Sequence, residues 1–136
     1  MKINIIYWSG TGNTQMMAEA IAQGAEEAGA DVAVIPVSEA DPSKIDADGV
    51  ILGCPAMGAE NLEESEFGPF YDSVKDKLAG KKLALFGSYD WGDGEWMRTW
   101  QADAEEAGAV MLAEGLIVNN TPDDEGLEKC RSLGAK

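Results

Sequence analysis

The chain has 136 residues, of which 45% are apolar, and 25 acidic against 10 basic residues give it a formal net charge of −15. This length suits one globular domain with a sizeable core, so we expect a single domain over residues 1–136. The charge argues against nucleic acid and anionic membranes as partners. It permits attraction to a basic protein, although solubility or salt adaptation explains it equally well.

Composition also bears on metals and location. Two cysteines far apart in sequence and no histidine argue against a zinc or iron–sulfur site, so we expect no metal. No secretory leader is visible, and no apolar run reaches the length of a membrane span. The sequence therefore predicts a cytoplasmic protein without a membrane-inserted segment, in which a disulfide is not expected.

Short apolar runs alternate with helical periodicities along the chain. The predicted strands are Ile3–Tyr7, Val32–Val37, Val50–Leu52, Leu83–Phe86 and Val110–Val118, the last bent at Gly115. Apolar and small side chains at helical spacing predict helices through Met17 to Ala28, Phe67 to Leu78 and Met97 to Ala107, ended by Gly29, Gly80 and Gly108. A short helix is predicted at Asp41-Pro42, and a last one from Thr121-Pro122 with Leu127, Cys130 and Leu133 inward.

This alternation predicts an α/β fold. Right-handed crossovers give a doubly wound, five-stranded parallel sheet in the order 2-1-3-4-5, with helices on both faces. Strands one, three and four are neighbours in that order, so the loops that follow them meet at the carboxyl edge, at the switch point. All three loops are glycine-rich or otherwise unusual. The sequence therefore predicts a ligand site there.

The first loop is Ser9-Gly10-Thr11-Gly12-Asn13-Thr14, between a strand and a helix. Its glycines let backbone N–H groups turn inward, and a helix N-terminus adds partial positive charge. Three hydroxyl groups supply further hydrogen bonds. Such a loop can hold a phosphate without a cationic side chain.

Three kinds of phosphate loop compete for this stretch. A nucleoside-triphosphate loop needs lysine after its second glycine, where Asn13 stands. A dinucleotide loop needs a small residue where Gln15 stands. A monophosphate loop remains, alongside a plain glycine-rich turn without a ligand.

The third loop, from Gly87 to Gly94, places Tyr89 and Trp91 among glycines and acids. Burial explains aromatic side chains on an exposed turn poorly, whereas stacking on a flat ring at the sheet edge explains them well. Core filling and contact with a partner are the alternatives.

The first loop resembles the FMN phosphate loop of flavodoxins. The resemblance extends from Lys2 to Leu133, with all three loops in order and the stretch Phe86-Gly87-Ser88-Tyr89. Flavodoxin is itself a standard example of the strand order 2-1-3-4-5, with FMN at the switch point. The chain lacks the insertion that splits the last strand in long-chain members.

The resemblance implies roles for individual residues. Trp91 covers one face of the isoalloxazine ring and Met57 packs against the other. The peptide after Gly58 accepts a hydrogen bond from protonated flavin N5, and Glu60 accepts one from N3–H. The residues implied to bind FMN are Ser9, Gly10, Thr11, Gly12, Asn13, Thr14, Pro55, Ala56, Met57, Gly58, Ala59, Glu60, Ser88, Tyr89, Asp90, Trp91, Gly92 and Asp93.

Two positions depart from the family pattern. Ala59 stands where some relatives carry an acid or another polar residue, and Asp90 stands where glycine is expected before the stacking Trp91. These changes bear on the redox potential and the loop geometry.

The implied function is that of a monomeric electron carrier that cycles between FMN semiquinone and hydroquinone at low potential. It is not an enzyme with its own substrate, and its acidic rim docks basic faces of redox enzymes. The rim comprises Glu60, Glu63, Glu64, Glu66, Asp90, Asp93 and Glu95. Two alternatives are an FMN enzyme that oxidises a nicotinamide and a phosphorylated signalling receiver. The first lacks a visible insertion for a second substrate, and the second lacks acids at the end of the first strand.

Overall fold

The computed structural model describes residues 2–8, 13–39, 49–54, 67–74, 80–89, 95–111 and 115–119, together with 126, 128 and 130. Six strands are present: β1 (Lys2–Tyr7), β2 (Asp31–Pro36), β3 (Gly49–Gly53), β4 (Lys82–Tyr89), β5 (Val110–Met111) and β6 (Leu116–Asn119). The described helices are α1 (Asn13–Glu27), α2 (Phe67–Val74) and α3 (Glu95–Glu106), with a 3-10 turn at Val37–Glu39. Gly126, Glu128 and Cys130 also have helical backbone.

All strand pairs in the sheet are parallel, and the order is β2-β1-β3-β4-β5, with β6 also paired to β4. Because β5 and β6 occupy the same side of β4, they are two segments of one fifth strand. The predicted order 2-1-3-4-5 is confirmed.

Alternating side chains of the strands enter two separate cores. On one face Ile5 and Phe86 pack in a cluster with Met17 and Ile21 of α1 and with Cys130. On the other face the strands pack against α2 and α3 in a second cluster. Its members include Leu52, Leu85, Phe67, Trp96 and Trp100. Helices therefore cover both faces, which is why the central strands read as continuous apolar runs.

Two helices end in the same C-terminal motif. Gly29 and Gly108 have φ of 94° and 96°, conformations that glycine adopts without steric cost. The residue after each glycine donates back five positions, from Ala30 N to Ala25 O at 3.0 Å and from Ala109 N to Ala104 O at 3.1 Å. These hydrogen bonds satisfy carbonyl groups that the helix leaves open.

The second strand lies one residue earlier in the chain than predicted. It ends at Pro36, opposite Tyr7, the last residue of β1, and Val37 begins the 3-10 turn. Because β1 ends at Tyr7, residues after Pro36 have no strand to pair with. The backbone turns there, and Val37 is buried.

The fifth strand is interrupted where a bend was predicted. Met111 pairs with Leu83 and Leu116 with Phe86, so five steps along the fifth strand (111 to 116) oppose three along β4 (83 to 86). The register between the fifth strand and β4 therefore shifts by two residues between these two pairs. The Gly115 N–H instead donates to Gln101 Oε1 of α3 at 2.9 Å. The predicted helix at Asp41-Pro42 lies outside the described residues.

Candidate functional site

Three neighbouring strands reach the same level at the carboxyl edge. Tyr7 is paired with Gly53, and Gly53 with Phe86. The residues that follow β1 and β3 extend this hydrogen bonding: Trp8 N donates to Gly53 O at 3.0 Å, and Cys54 N donates to Phe86 O at 3.1 Å. The loops after β1 and β3 therefore leave the sheet side by side, on either side of the point where the chain reverses direction across the sheet.

The fourth strand continues past that level. Gly87, Ser88 and Tyr89, predicted to open the third loop, belong to β4, because β6 pairs with them up to Asn119. At about 3.3 Å per residue, these three residues carry β4 roughly 10 Å beyond the ends of β1 and β3. The prediction that the loop begins at Gly87 was thus wrong. The sheet edge is a step, with the first two loops leaving its lower level and the third leaving its upper level.

Two glycines allow the strands to pack closely at the foot of this step. A Cβ atom on Gly53 would lie 2.1 Å from Phe86 Cζ, and one on Gly87 would lie 2.2 Å from Cys54 O. The same Cys54 carbonyl accepts a hydrogen bond from Trp96 Nε1 at 3.2 Å. The start of the second loop is therefore fixed between β4 and α3.

The first loop leads directly into α1. Helix α1 begins at Asn13, five residues after Trp8, so its N-terminus lies at the carboxyl edge. Thr14 is in its first turn and is 1% exposed. Unsatisfied N–H groups and the helix dipole favour an anion at this position. A phosphate fits this donor set, which consists of backbone N–H groups and hydroxyls. Ser9, Gly10, Thr11 and Gly12 lie outside the described residues.

The remaining predicted ligands divide into two groups. Ser88 and Tyr89 are in β4, on the upper level of the step. The other members of the second and third loops lie outside the described residues, as do the side chains of the predicted acidic rim. They are Pro55, Ala56, Met57, Gly58, Ala59, Glu60, Asp90, Trp91, Gly92 and Asp93.

One position at this edge is not predicted from the sequence. Asn119 ends β6 and is paired with Tyr89 of β4. The chain that follows β6 therefore leaves the sheet next to the third loop. The predicted strand ended at Val118. Because the carboxyl ends of parallel strands lie at one edge of a sheet, the end of the fifth strand could have been predicted to lie there too.

Tyr7 stands at the end of β1, below the first loop, and is 8% exposed. Burial raises its pKa above the ordinary value of 10.0, and the charges of Glu19 and Glu39 raise it further. The phenol is therefore neutral at physiological pH.

Aromatic side chains of α2 and α3 support the sheet below the second loop. Trp100 makes edge-to-face contacts with Phe67, at a centroid distance of 5.4 Å, and with Tyr71, at 6.1 Å. Tyr71 Oη donates to Asp103 Oδ2 at 2.7 Å, which joins the two helices. Burial raises the pKa of Tyr71 far above its ordinary value, and the hydrogen bond to Asp103 adds to the effect.

The described part of the chain contains no group of three His, Cys, Asp or Glu side chains placed to hold a metal ion. Within the same residues, no helix has the length and apolar character needed to cross a membrane. A cavity of about 390 Å³ lies between α3 and Gly115, and none of the predicted FMN ligands lines it.

The sheet order and the stepped carboxyl edge define a doubly wound α/β protein with its ligand crevice at the switch point. A family model described as Flavodoxin matches residues 5–134. The chain belongs to the flavodoxin family.

Individual relatives agree over nearly the whole chain. The flavodoxin of Clostridium beijerinckii is 50% identical over 135 residues, which cover 98% of this chain and 97% of that protein. The solution structure of two-electron reduced Megasphaera elsdenii flavodoxin matches with a TM-score of 0.89 at 44% identity, over 98% of this chain and 96% of that one. Oxidised flavodoxin 1 from Bacillus cereus matches with a TM-score of 0.87 at 36% identity, over 99% and 95%.

Flavodoxins bind FMN, so the cofactor of this chain is FMN. The chain is an FMN-based electron carrier. The predicted cofactor is confirmed, and the interpretation as a signalling receiver is excluded.

Proposed function

We propose that the protein carries electrons at low potential between redox enzymes, with FMN held noncovalently on the stepped carboxyl edge. The observation that carries this proposal is the common level of Tyr7, Gly53 and Phe86. It brings the starts of the first and second loops together, below the extension of β4. FMN supplies reversible one-electron chemistry, and the chain supplies binding and electrostatics.

The predicted ligands keep the roles that the family resemblance implies. Residues 9–14 hold the phosphate at the N-terminus of α1, and the ring lies between Met57 and Trp91. Ser88 and the backbone from Tyr89 to Gly92 meet the pyrimidine end. The extension of β4 through Tyr89 supports this last role, because it carries the backbone of Ser88 and Tyr89 beyond the ends of β1 and β3.

The redox role follows from charge. A net charge of −15 opposes the anionic hydroquinone and so lowers the potential of the second one-electron step. A hydrogen bond from flavin N5–H to the peptide after Gly58 stabilises the neutral semiquinone. One similar solved structure is of a flavodoxin in its two-electron reduced state, so a protein with this fold accommodates full reduction.

The partners we propose are redox enzymes with basic faces, attracted by the acidic rim. The protein acts as a monomer in the cytoplasm and turns over no substrate of its own. Its catalytic partners supply the chemistry at both ends of the electron transfer.

Asp90 provides the test of this proposal. At ~8 Å and an effective dielectric of ~40, its charge and that of the hydroquinone repel by about 1 kcal/mol, or ~40 mV for one electron. Asp90→Asn should therefore raise the semiquinone–hydroquinone potential by tens of millivolts. The oxidised–semiquinone couple should stay nearly constant, because neither of those forms carries ring charge.

The matched control is Glu27→Gln, which removes an exposed charge at the far end of α1. Fifteen residues at about 1.5 Å each place it roughly 20 Å from the carboxyl edge. Spectroelectrochemistry at low salt measures both couples in each variant. Equal shifts in the two variants, or a fall in potential for Asp90→Asn, would contradict the proposed placement of Asp90 beside the flavin.

A further inference from the structure

Oxidisable aromatic side chains are concentrated on one face of the sheet. The chain has four tryptophans, and Trp96 and Trp100 lie in the core between the sheet and α3, each 2% exposed. Trp8 is partly buried and packs against the same core. Tyr71 of α2 is 4% exposed and belongs to it as well. This core accordingly links a partly exposed indole near the carboxyl edge to a buried phenol.

These side chains form a row that leads away from the carboxyl edge. Trp96 Nε1 donates to the carbonyl of Cys54, where the second loop begins. Trp96 and Trp100 are four residues apart on α3, and residues at this spacing are neighbours on a helix. The ring of Trp100 lies 6.1 Å from that of Tyr71, centroid to centroid. Each step of the row is therefore short.

The indole N–H of Trp100 is buried and has no hydrogen-bond partner among the described residues. An oxidised indole normally relaxes by losing this proton to a base. With no acceptor at hand, oxidised Trp100 remains a radical cation, which is a stronger oxidant than the neutral radical. It is therefore poised to take an electron from a neighbour.

Tyr71 is the neighbour equipped to give one. A phenol is readily oxidised when its proton leaves with the electron, and Tyr71 Oη donates to Asp103 Oδ2 at 2.7 Å. This distance lies within the range at which a positioned carboxylate accepts a proton. Phe67, the other ring in edge contact with Trp100, lacks a group that can be oxidised in this way.

We propose that Trp96, Trp100, Tyr71 and Asp103 form a relay that removes oxidising equivalents from the carboxyl edge. A one-electron oxidant of the class of the azide radical takes an electron from an indole of the row, is itself reduced to its anion, and leaves Trp100 as a radical cation. Tyr71 then returns one electron to Trp100, and its phenolic O–H bond breaks as the proton passes to Asp103 Oδ2. The products are neutral Trp100, a Tyr71 phenoxyl radical and a protonated Asp103. This activity is separate from electron carriage and does not depend on FMN.

Pulse radiolysis of the purified protein tests the relay. Azide radicals serve as the one-electron oxidant, and transient absorption follows the decay of the indole radical and the rise of the phenoxyl radical. In the unmodified chain the phenoxyl signal should rise as the indole signal decays, at a rate independent of protein concentration. Tyr71→Phe keeps the ring but should remove this rise and prolong the indole signal.

Asp103→Asn keeps a side chain of the same size and removes the base. It should slow phenoxyl formation by about 100-fold or more, the range for loss of a positioned proton acceptor. Tyr7→Phe is the matched control, because Tyr7 is equally buried but packs on the opposite face of the sheet. The signal of this control should equal that of the unmodified chain.

Thermal unfolding of each variant verifies that the fold is intact before the radicals are measured. A full phenoxyl signal in folded Tyr71→Phe would overturn the relay. A rate of phenoxyl formation in Asp103→Asn within about twofold of the unmodified rate would also overturn the relay. If the Asp103 carboxylate had only a structural role, its replacement would not slow this step. The FMN content of the sample is read from its flavin absorption, so failure of the relay is distinguishable from failure to bind FMN.

Discussion

At the scale of single residues, the carboxyl edge depends on positions where no side chain fits. Gly87 faces the Cys54 carbonyl so closely that a methyl group would overlap it. A backbone carbonyl cannot move aside as a flexible side chain can. The end of β3 and the extension of β4 are therefore held at one spacing.

Gly87→Ala tests this fixed spacing. The added methyl group should displace the Cys54 carbonyl, weaken its hydrogen bond from Trp96 and cost about 1–3 kcal/mol of unfolding free energy, as overpacking generally does. FMN affinity should fall too, because Cys54 begins the second loop. Urea unfolding and fluorescence titration measure the two effects.

Gly49→Ala is the control for that substitution. Gly49 is also a buried strand glycine, but a Cβ atom there would lie 3.7 Å from Ile3 Cγ1, an ordinary contact. Its stability and FMN affinity should change little. Equal losses in the two variants would show that glycine matters at both positions for another reason.

At the scale of elements, α3 holds the interrupted fifth strand. Gln101 accepts from the Gly115 N–H and donates to Glu105 Oε1 at 2.9 Å, so one side chain joins the helix to the start of β6. Gln101→Ala should lower the unfolding free energy by about 0.5–1.5 kcal/mol, the usual net value of a hydrogen bond. Hydrogen exchange at the Gly115 amide should speed up more than exchange in β1.

The exposed Gln23 of α1 is the matched control for this loss. Gln23→Ala removes a similar side chain from a helix without touching the fifth strand, so exchange at Gly115 should not change. Faster exchange at Gly115 in both variants would locate the effect in general stability rather than in the Gln101 contact.

The contact between α2 and α3 predicts sensitivity to alkaline pH. The pKa of Tyr71 is raised above 10.0 in the folded state. Its contribution to the free energy of unfolding is therefore complete below about pH 10 and declines as the pH rises towards the folded pKa. One tyrosine adds a slope of at most about 1.4 kcal/mol per pH unit. Tyr71→Phe should be less stable near neutral pH, and its unfolding free energy should fall less steeply above about pH 10.

Urea unfolding at a series of pH values measures both slopes. Lysine deprotonation affects the two proteins alike, so the difference between them isolates Tyr71. Parallel curves would mean that Tyr71 ionises as easily in the folded chain as in the unfolded one.

At the scale of the whole molecule, the net charge of −15 affects the rate of association with a redox partner. The proposed docking to basic enzymes predicts that electron transfer slows as salt rises, because the screening length falls from ~30 Å at 0.01 M to ~8 Å at 0.15 M ionic strength. Stopped-flow measurement with a basic reductase should show a severalfold fall in the association rate. A small uncharged electron donor is the control, and its rate should not vary with salt. A flat rate with the reductase would assign the acidic surface to solubility alone.

Much of the fold was determined locally. Val50–Leu52 is apolar throughout and Ile3–Tyr7 is apolar apart from Asn4, because both faces of their strands are covered, and the sequence alone shows this pattern. Gly29 and Gly108 mark helix ends because the backbone at those positions has positive φ, which glycine adopts readily. The first loop likewise predicts an anion site, because its hydrogen-bond donors are consecutive in the chain.

The tertiary structure decided what depends on neighbours distant in sequence. The extension of β4 through Tyr89, the interruption after Met111 and the position of Asn119 all follow from pairing between β4 and the fifth strand. The hydrogen bond from Tyr71 to Asp103 likewise requires α2 and α3 to be packed together. So does the burial of the Trp100 N–H, which has no hydrogen-bond partner among the described residues. Periodicity and loop composition report on a residue and its near neighbours. Register and side-chain pairing depend on which elements the folded chain brings into contact, because their partners lie far away along it.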